Sequence, residues 1–261
     1  DPEMSRGLGD VYKRQEFMTS QLNKIADYWN QRSFGYSLDN QEELLHDQEK
    51  WIELINRYLK INKGMKVLDL GCGPGFFSVM LTNYGCQVIG IDYSDKMLEE
   101  ARNNAGKFKA NVEFQKMDVQ NLAFQDETFD LVITRNVTWN LEKPVQAYKE
   151  ILRVLKNKGH LLNVDGNHYY HYQDRDYNRS GHSDHQHMEG IDVSIIDNIA
   201  KELKLSYVLR PQYDIEILKE IGFQQIESEI LSKEKTKEGK ELIRQFLIPV
   251  SYTHLRAHET S

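Results

Sequence analysis

A glycine-rich loop is the first feature of the sequence that suggests chemistry. Residues 67–75 read VLDLGCGPG, so Gly71, Gly73 and Gly75 follow an apolar run at alternate positions. Glycines let a chain turn sharply and let a ligand contact the backbone without a Cβ in between. Phe76 stands where a dinucleotide fingerprint requires glycine. The loop therefore predicts a ligand site and disfavours a pyrophosphate ligand.

Three acidic side chains accompany the loop. Asp69 lies two residues before the first glycine, where a carboxylate repels phosphate but suits an ammonium or sulfonium group. Asp92 ends the next apolar run, and dinucleotide enzymes use an acid at this distance to accept hydrogen bonds from ribose hydroxyls. Asp118 follows a third run, where it can accept a hydrogen bond from an adenine amino group. A cationic amino acid, a ribose and an adenine together predict S-adenosylmethionine.

Alternating apolar runs and amphipathic stretches predict the elements that position these residues. Single helices between strands require crossover connections, so we expect a mainly parallel α/β sheet that is covered on both faces. The predicted strands are residues 65–70, 87–91, 112–117, 129–134, 160–164, 223–230 and 246–248. Six helices are predicted. One is capped by Ser94, and the others cover 41–59, 76–84, Pro144 through Leu155, 191–203, and Pro211 to Gly222.

The sequence resembles the class I S-adenosylmethionine-dependent methyltransferases, specifically the small-molecule type that includes the enzymes of ubiquinone and menaquinone biosynthesis. The resemblance implies a Rossmann-like, doubly wound, mostly parallel seven-stranded sheet with an N-terminal helical cap and an insertion after strand five. It is carried, in the family's order, by VLDLGCGPG at 67–75, VIGIDYS at 88–94, KMDVQNLAF at 116–124, FDLVITRNV at 129–137 and RVLKNKGHLL at 153–162.

Individual roles follow from the resemblance, position by position. It implies that the loop meets the methionine part of the cofactor, that the end of strand two holds the ribose, and that the end of strand three holds the adenine. Cys72 has no basic neighbour in sequence, so we interpret it as a small buried filler of the loop rather than a nucleophile. The predicted cofactor-binding residues are Asp69, Gly71, Cys72, Gly73, Gly75, Asp92, Tyr93, Asp118, Val119, Arg135, Asn136 and Tyr36.

Aromatic residues before the loop have two interpretations. Tyr28, Trp29, Phe34 and Tyr36 could close over the cofactor and exclude water, or they could pack a first helix. The sequence favours neither.

A histidine-rich stretch follows the fifth predicted strand. Imidazoles at this spacing could bind zinc, but structural zinc sites usually include cysteine and no cysteine is near. We therefore expect a polar loop over the site and no metal. A base is needed only if the acceptor loses a proton, and His168 is then the first candidate and Tyr169 the second. The cluster consists of His168, His171, His182, Asp184, His185 and His187.

Composition limits the remaining possibilities. No run approaches eighteen apolar residues, so we expect no membrane span. Two cysteines, Cys72 and Cys86, cannot form a disulfide framework, which predicts the cytoplasm. A net charge of -7 disfavours a general nucleic-acid partner.

The function hypothesis is methyl transfer from S-adenosylmethionine to a small molecule by in-line displacement. A non-catalytic cofactor-binding protein stays open as an alternative, and an RNA or protein methyltransferase is less favoured. The glycine spacing disfavours a nicotinamide oxidoreductase. The sequence does not indicate the acceptor atom or the oligomeric state.

The two ends of the chain are predicted to be foreign to the fold. DVYKRQ at 10–15 and VSYTHL at 250–255 can be encoded by inverted copies of one DNA stretch, as in a sequencing adapter carried into a gene. We therefore set aside residues 1–15 and 250–261. The expected organisation is one domain over 16–249, with a helical cap at 18–62, a cofactor-binding core at 63–165, a substrate or lid insertion at 166–210 and the C-terminal part of the sheet at 211–249.

Overall fold

Parallel pairing of the first five strands organises the chain. The computed structural model describes residues 2–169, 187, 190–235 and 239–252, with side chains from residue 21 onwards. The strands in this part of the chain are β1 (Lys66–Leu70), β2 (Gln87–Asp92), β3 (Glu113–Lys116), β4 (Phe129–Arg135), β5 (Leu155–Gly166), β6 (Gln225–Ile226), β7 (Glu229–Lys235) and β8 (Glu241–Ser251).

Helices connect the strands and cover the sheet. Ser94 caps the fourth helix, since its Oγ accepts a hydrogen bond from the Met97 amide at 3.1 Å, and Pro144 takes the first position of the fifth. The helices of the described residues are α1 (Pro2–His46), α2 (Gln48–Asn56), α3 (Phe76–Asn83), α4 (Asp95–Lys107), α5 (Pro144–Val154), α6 (Ser194–Ala200) and α7 (Gln212–Glu220), with short 3₁₀ helices at Thr138–Asn140 and Lys204–Ser206.

The strand order is β3-β2-β1-β4-β5-β8-β6, and β7 also pairs with β8. The strands from β1 to β5 are parallel, and β8 runs antiparallel to β5. β6 and β7 pair with different halves of β8, so the sheet is seven strands wide although the described residues form eight. The predicted doubly wound architecture is confirmed, but the single strand predicted over 223–230 is wrong because the chain breaks pairing between β6 and β7.

Two apolar cores lie on opposite faces of the sheet. Leu68 and Leu70 of β1 pack with α5 and α7 on one face, whereas Val67 packs with α2 and α3 on the other. This division follows from the alternation of side chains along a strand. A third cluster joins α1 and α6 around Trp139, and it lies at the end of the sheet where the first four strands finish.

Several predicted boundaries shift in the structure. The helix predicted over 41–59 is two helices, because α1 ends at His46 and α2 begins at Gln48. Leu155 begins β5 instead of ending α5. At the C-terminus, β8 continues through Ser251, beyond the predicted domain limit at 249. The adapter origin of the two tails stays a prediction.

Among the described helices, none combines the length and apolar character that a bilayer crossing requires.

Val250 provides a test of this C-terminal extension. Its side chain is buried, and its backbone pairs with Leu161 and Ile226. We expect Val250→Ala to lower the free energy of unfolding by about 2 kcal/mol, because buried methyl groups are lost. The matched control is Val145→Ala on the half-exposed start of α5, where a change below about 0.5 kcal/mol is expected. Urea denaturation measures both, and equal effects would show that Val250 is not part of the core.

Candidate functional site

A cavity lies at the carboxyl ends of the first four strands, and its empty volume, with the solvent at its mouth included, is about 820 Å³. Open parallel sheets bind ligands at this edge. The predicted site residues in its wall are Tyr36, Gly71, Gly73, Asp92, Tyr93, Asp118, Val119, Arg135 and Asn136. The other lining residues are Leu22, Ile25, Ala26, Trp29, Ser94, Met97, Gln120, Val137, Asn140, Leu141 and Glu142.

The glycine loop adopts the backbone that its sequence predicts. Gly71 and Gly73 have φ angles of 68° and 52°, in the left-handed region that favours glycine. A Cβ on Gly71 would lie 2.4 Å from a methyl group of Val137, so the loop also packs too closely for a side chain. The Gly73 amide donates to Oδ2 of Asp92 at 3.0 Å, which ties the loop to the end of β2.

Asp92 organises the ribose end of the predicted site. Its Oδ1 accepts a hydrogen bond from the Ser94 amide at 2.8 Å, while Oδ2 accepts from Gly73. Each carboxylate oxygen can accept a further hydrogen bond. Burial raises the pKa of Asp92, and these backbone amides act against that rise. The arrangement presents a fixed acceptor for ligand hydroxyls.

Asp118 occupies the next strand end in a similar way. Its Oδ1 accepts hydrogen bonds from the Gln120 amide at 2.9 Å and from the Gln120 side chain at 3.1 Å. The side chain of Gln120 in turn accepts from the Lys143 amide at 2.7 Å. Val119 is buried beside it. This wall therefore combines an apolar surface with a carboxylate, as adenine recognition requires.

Asp69 takes a different position from the one predicted. Its Oδ2 accepts from the amide and the hydroxyl of Ser78, at 2.9 and 2.6 Å, and the carboxylate lies outside the cavity lining. The alternation in β1 gives the reason, since Asp69 shares the face of Val67, where α3 packs. Asp69 therefore holds the start of α3 beneath the loop. Of the described loop residues, Cys72 and Gly75 also lie outside the lining.

Arg135 brings a buried cation to the cavity wall. It makes a two-pronged ion pair with Glu43 of α1, at 2.7 and 3.0 Å, and its guanidinium lies 4.9 Å from the ring centroid of Phe76. Burial acts to lower the pKa of Arg135, but Glu43 outweighs it and the pKa is raised. The pair joins the end of β4 to α1.

The residues after β4 line the cavity more extensively than the sequence predicted. We call residues 136–142 the β4 loop. Asn136 has a left-handed φ of 57°, which is uncommon outside glycine. Within the described part of the chain, the buried Oδ1 atoms of Asn136 and Asn140 have no hydrogen-bond partner. Asn140, Leu141 and Glu142 were not predicted, because a loop after a strand carries no periodic signal.

Helix α1 covers the cavity. Trp29 and Tyr36 line it, whereas Tyr28 is buried against α6 and Phe34 faces solvent. Tyr28 therefore packs the helix, Trp29 and Tyr36 are placed to cover the cavity, and Phe34 fits neither interpretation. The sequence did contain a signal for further lining residues, since Leu22, Ile25, Ala26, Trp29 and Tyr36 recur at helical spacing.

Asn104 fixes α1 to the glycine loop. Its amide nitrogen donates to the Pro74 carbonyl at 2.9 Å and to the Ser37 hydroxyl at 3.1 Å, while Gln41 donates to its oxygen at 2.9 Å.

The two candidate bases pack outside the described cavity lining. His168 Nε2 lies 3.3 Å from Asp165 Oδ1, and its ring is 5.1 Å from that of Trp139. Tyr169 is buried against the same Trp139 ring, at 5.3 Å. Both therefore support Trp139 in this geometry, and their roles in catalysis stay predictions.

Most of the histidine cluster lies outside the described residues, namely His171, His182, Asp184 and His185. His187 is described, and its Nε2 lies 3.9 Å from Asp39 of α1, whereas His168 has Asp165 as its partner. Among the described residues, no group of three metal-ligating side chains is found.

Comparison with known proteins matches this geometry to a family. Residues 61–201 match the family model described as a methyltransferase domain. This chain belongs to the methyltransferase-domain family. The predicted resemblance is thereby confirmed, and the match covers the glycine loop, the strand-end acids and the β4 loop.

Two curated relatives of this methyltransferase-domain protein have names that refer to small molecules. It is 30% identical over 100 residues to a ubiquinone biosynthesis O-methyltransferase of Coxiella burnetii. The matched residues are 38% of this chain and 43% of that relative. It is 29% identical over 146 residues to a demethylmenaquinone methyltransferase of Clavibacter sepedonicus, covering 56% and 59%. The chain thus spans less than two thirds of these relatives' length.

Solved structures support the fold. A phosphoethanolamine N-methyltransferase of Haemonchus contortus in complex with S-adenosyl-L-methionine superposes with a TM-score of 0.63 at 16% identity, over 88% of this chain and 60% of that one. The PH0226 protein of Pyrococcus horikoshii superposes with a TM-score of 0.53 at 26% identity, over 80% and 92%.

Asp69 gives this methyltransferase-domain protein a specific pH dependence. Burial raises the pKa of Asp69 from 3.8 to about 6, so the folded state keeps a proton that the unfolded chain loses between these values. Stability from this group is complete below pH 3.8 and is lost as the pH rises to about 6. We expect Asp69→Asn, which stays neutral, to gain about 1–3 kcal/mol over the wild type between pH 4 and pH 7.

Urea denaturation of the two proteins across this range measures the gain. Parallel stability curves would contradict the raised pKa. Asp126→Asn, at an exposed site, controls for the general loss of a carboxylate.

Proposed function

We propose that this protein transfers a methyl group from S-adenosylmethionine to a small-molecule acceptor, in the cytoplasm. The observation that carries the proposal is the position of the Asp92 carboxylate. It accepts a hydrogen bond from the left-handed glycine loop, and it lines the same cavity as Asp118. Family membership and the names of the curated relatives support it. Two free cysteines, both buried, agree with a reducing compartment.

The residues present fit the proposed cofactor. Gly73 leaves open space where a Cβ would stand, Asp92 and Tyr93 suit the ribose, and the surface of Asp118 and Val119 suits the adenine. The buried Oδ1 of Asn136, without a partner in the described chain, matches a ligand with an N–H group. When bound, the cofactor supplies a sulfonium-activated methyl group.

The protein's contribution to the reaction is chiefly positioning. An in-line displacement requires the acceptor atom, the methyl carbon and the sulfur in one line, and holding them so can supply much of the acceleration. Trp29 and Tyr36 cover the cavity from α1 and would keep water from the reacting centre. The acidic wall and the net charge of -7 favour a small neutral or cationic acceptor over a nucleic acid.

His168 is the proposed base for an acceptor that must lose a proton. Asp165 lies 3.3 Å from its Nε2 and would orient the imidazole, as carboxylates do in acid–base pairs. This role requires the acceptor to reach past the ring of Trp139. Tyr169 is buried at 4% exposure, which makes it the weaker candidate.

Asp92 tests the cofactor assignment. We expect Asp92→Ala to weaken binding of S-adenosylhomocysteine by about tenfold to a hundredfold, because buried ligand hydroxyls lose an ionised acceptor. The matched control is Asp95→Ala three residues later, where the side chain is exposed and pairs with Lys116. Titration calorimetry measures both affinities. Unchanged affinity in Asp92→Ala would remove this residue from the site, and absence of binding by the wild type would refute the function.

His168 tests the proposed chemistry. With S-[methyl-³H]adenosylmethionine and a metabolite extract, we expect His168→Gln to lower methyl transfer by about a hundredfold, the usual contribution of a general base. Affinity for S-adenosylhomocysteine should stay within twofold of the wild type. Full activity would remove His168 from the reaction. Binding without turnover in the wild type would instead favour a non-catalytic cofactor-binding protein.

A further inference from the structure

A buried polar network lies directly behind the β4 loop. Its centre is the guanidinium of Arg210, which is fully buried and comes from the segment before α7. Arg210 donates to both carboxylate oxygens of Asp214, at 2.7 and 2.8 Å, and its Nη1 lies 3.1 Å from Asp165 Oδ2. Burying three charges is costly unless each is paired and hydrogen-bonded. Here the one guanidinium contacts both carboxylates, and hydrogen bonds complete the contacts, so the network has one defined geometry.

Thr138 connects this network to the cavity wall. Its hydroxyl donates to Asp165 Oδ2 and accepts from Arg210 Nη2 at 2.6 Å. The side chain of Asn163 approaches the same hydroxyl at 3.3 Å. A hydroxyl has one donor and two acceptor sites, so all three are filled. Thr138 itself is fully buried and contributes nothing to the described cavity lining.

The neighbours of Thr138 along the chain do line the cavity. Asn136, Val137 and Asn140 stand within two residues of it, and they face the glycine loop closely enough that Val137 excludes a Cβ at Gly71. The amide of Trp139 donates to the same Asp165 oxygen at 2.9 Å. The Thr138 hydroxyl and the Trp139 amide, from adjacent residues of the β4 loop, therefore both donate to the buried carboxylate of Asp165.

The left-handed backbone of Asn136 needs such support. A non-glycine residue in this region is uncommon and persists where its surroundings determine its backbone conformation. The Trp139 side chain donates to the Asn136 carbonyl at 2.9 Å, and the Asn136 amide donates to the Val164 carbonyl at 2.9 Å. These two bonds fix the start of the β4 loop, and Thr138 fixes its middle from the buried network.

We propose that Thr138 is a positioning residue for the cofactor site: through Asp165 and Arg210, it sets the β4 loop against the glycine loop. This inference rests on the proposed function. It also makes the segment just before α7, which carries Arg210, a determinant of cofactor affinity, although Arg210 is 72 residues from Thr138 in sequence.

The test compares two hydroxyls of the same network. Thr138→Val removes the hydroxyl on the β4 loop and keeps the shape of the side chain. Tyr148→Phe removes a buried hydroxyl of α5 that contacts Asp214 at 2.5 Å and Asn163 at 2.9 Å, and it leaves the bonds of Thr138 to Asp165 and Arg210 in place. Each variant is measured for its melting temperature and, by calorimetry at 15 °C, for its affinity for S-adenosylhomocysteine. Thr138→Ser, which restores the hydroxyl, is the rescue variant.

Both Thr138→Val and Tyr148→Phe should lower the melting temperature, because each leaves buried partners unsatisfied. Only Thr138→Val should weaken S-adenosylhomocysteine binding, by about tenfold, and Thr138→Ser should recover the wild-type affinity to within about twofold. Equal affinities in Thr138→Val and Tyr148→Phe would overturn the proposal, as would a failure of Thr138→Ser to rescue. If Thr138→Val does not fold, Thr138→Ala replaces it under the same criteria. Absence of binding by the wild type would instead refute the proposed function.

Discussion

One hydrogen bond, from the Gly73 amide to the Asp92 carboxylate, joins the two chain segments on which the candidate site depends. The loop after β1 needs left-handed glycines to turn at this point, and the end of β2 supplies the acceptor that fixes the turn. The same carboxylate accepts from Ser94, whose hydroxyl caps α4. The conformation of the loop, the start of a helix and the position of a carboxylate in the cavity wall are thus determined together.

Features that arise within a few residues were predictable from the sequence. The glycine turn, the cap at Ser94 and the positions of Asp92 and Asp118 at strand ends all follow from local geometry, and the structure places these residues as expected. The parallel sheet also followed, because alternating strands and helices permit few topologies. The match to a methyltransferase family agrees with this local pattern.

Features that depend on distant partners were not predictable in the same way. Asp69 was expected in the cavity, but its carboxylate is bonded to Ser78 of α3, and the packing of α3 against that face of β1 is a tertiary contact. Thr138 and Arg210, which form a hydrogen bond, are 72 residues apart, and neither segment alone has a sequence pattern that indicates this contact. The role of α1 was ambiguous because an aromatic residue on a helix has the same sequence signature whether it packs in a core or lines a cavity.

The division of the sheet into two separate cores has a consequence for how the protein tolerates change. Side chains of α3 on one face and of α7 on the other pack into different clusters, and the sheet backbone lies between them. Substitutions that share no neighbours usually act independently on stability. Substitutions in the core around α7 should therefore change stability independently of substitutions in the core around α3. A substitution on one face then needs no compensating substitution on the other.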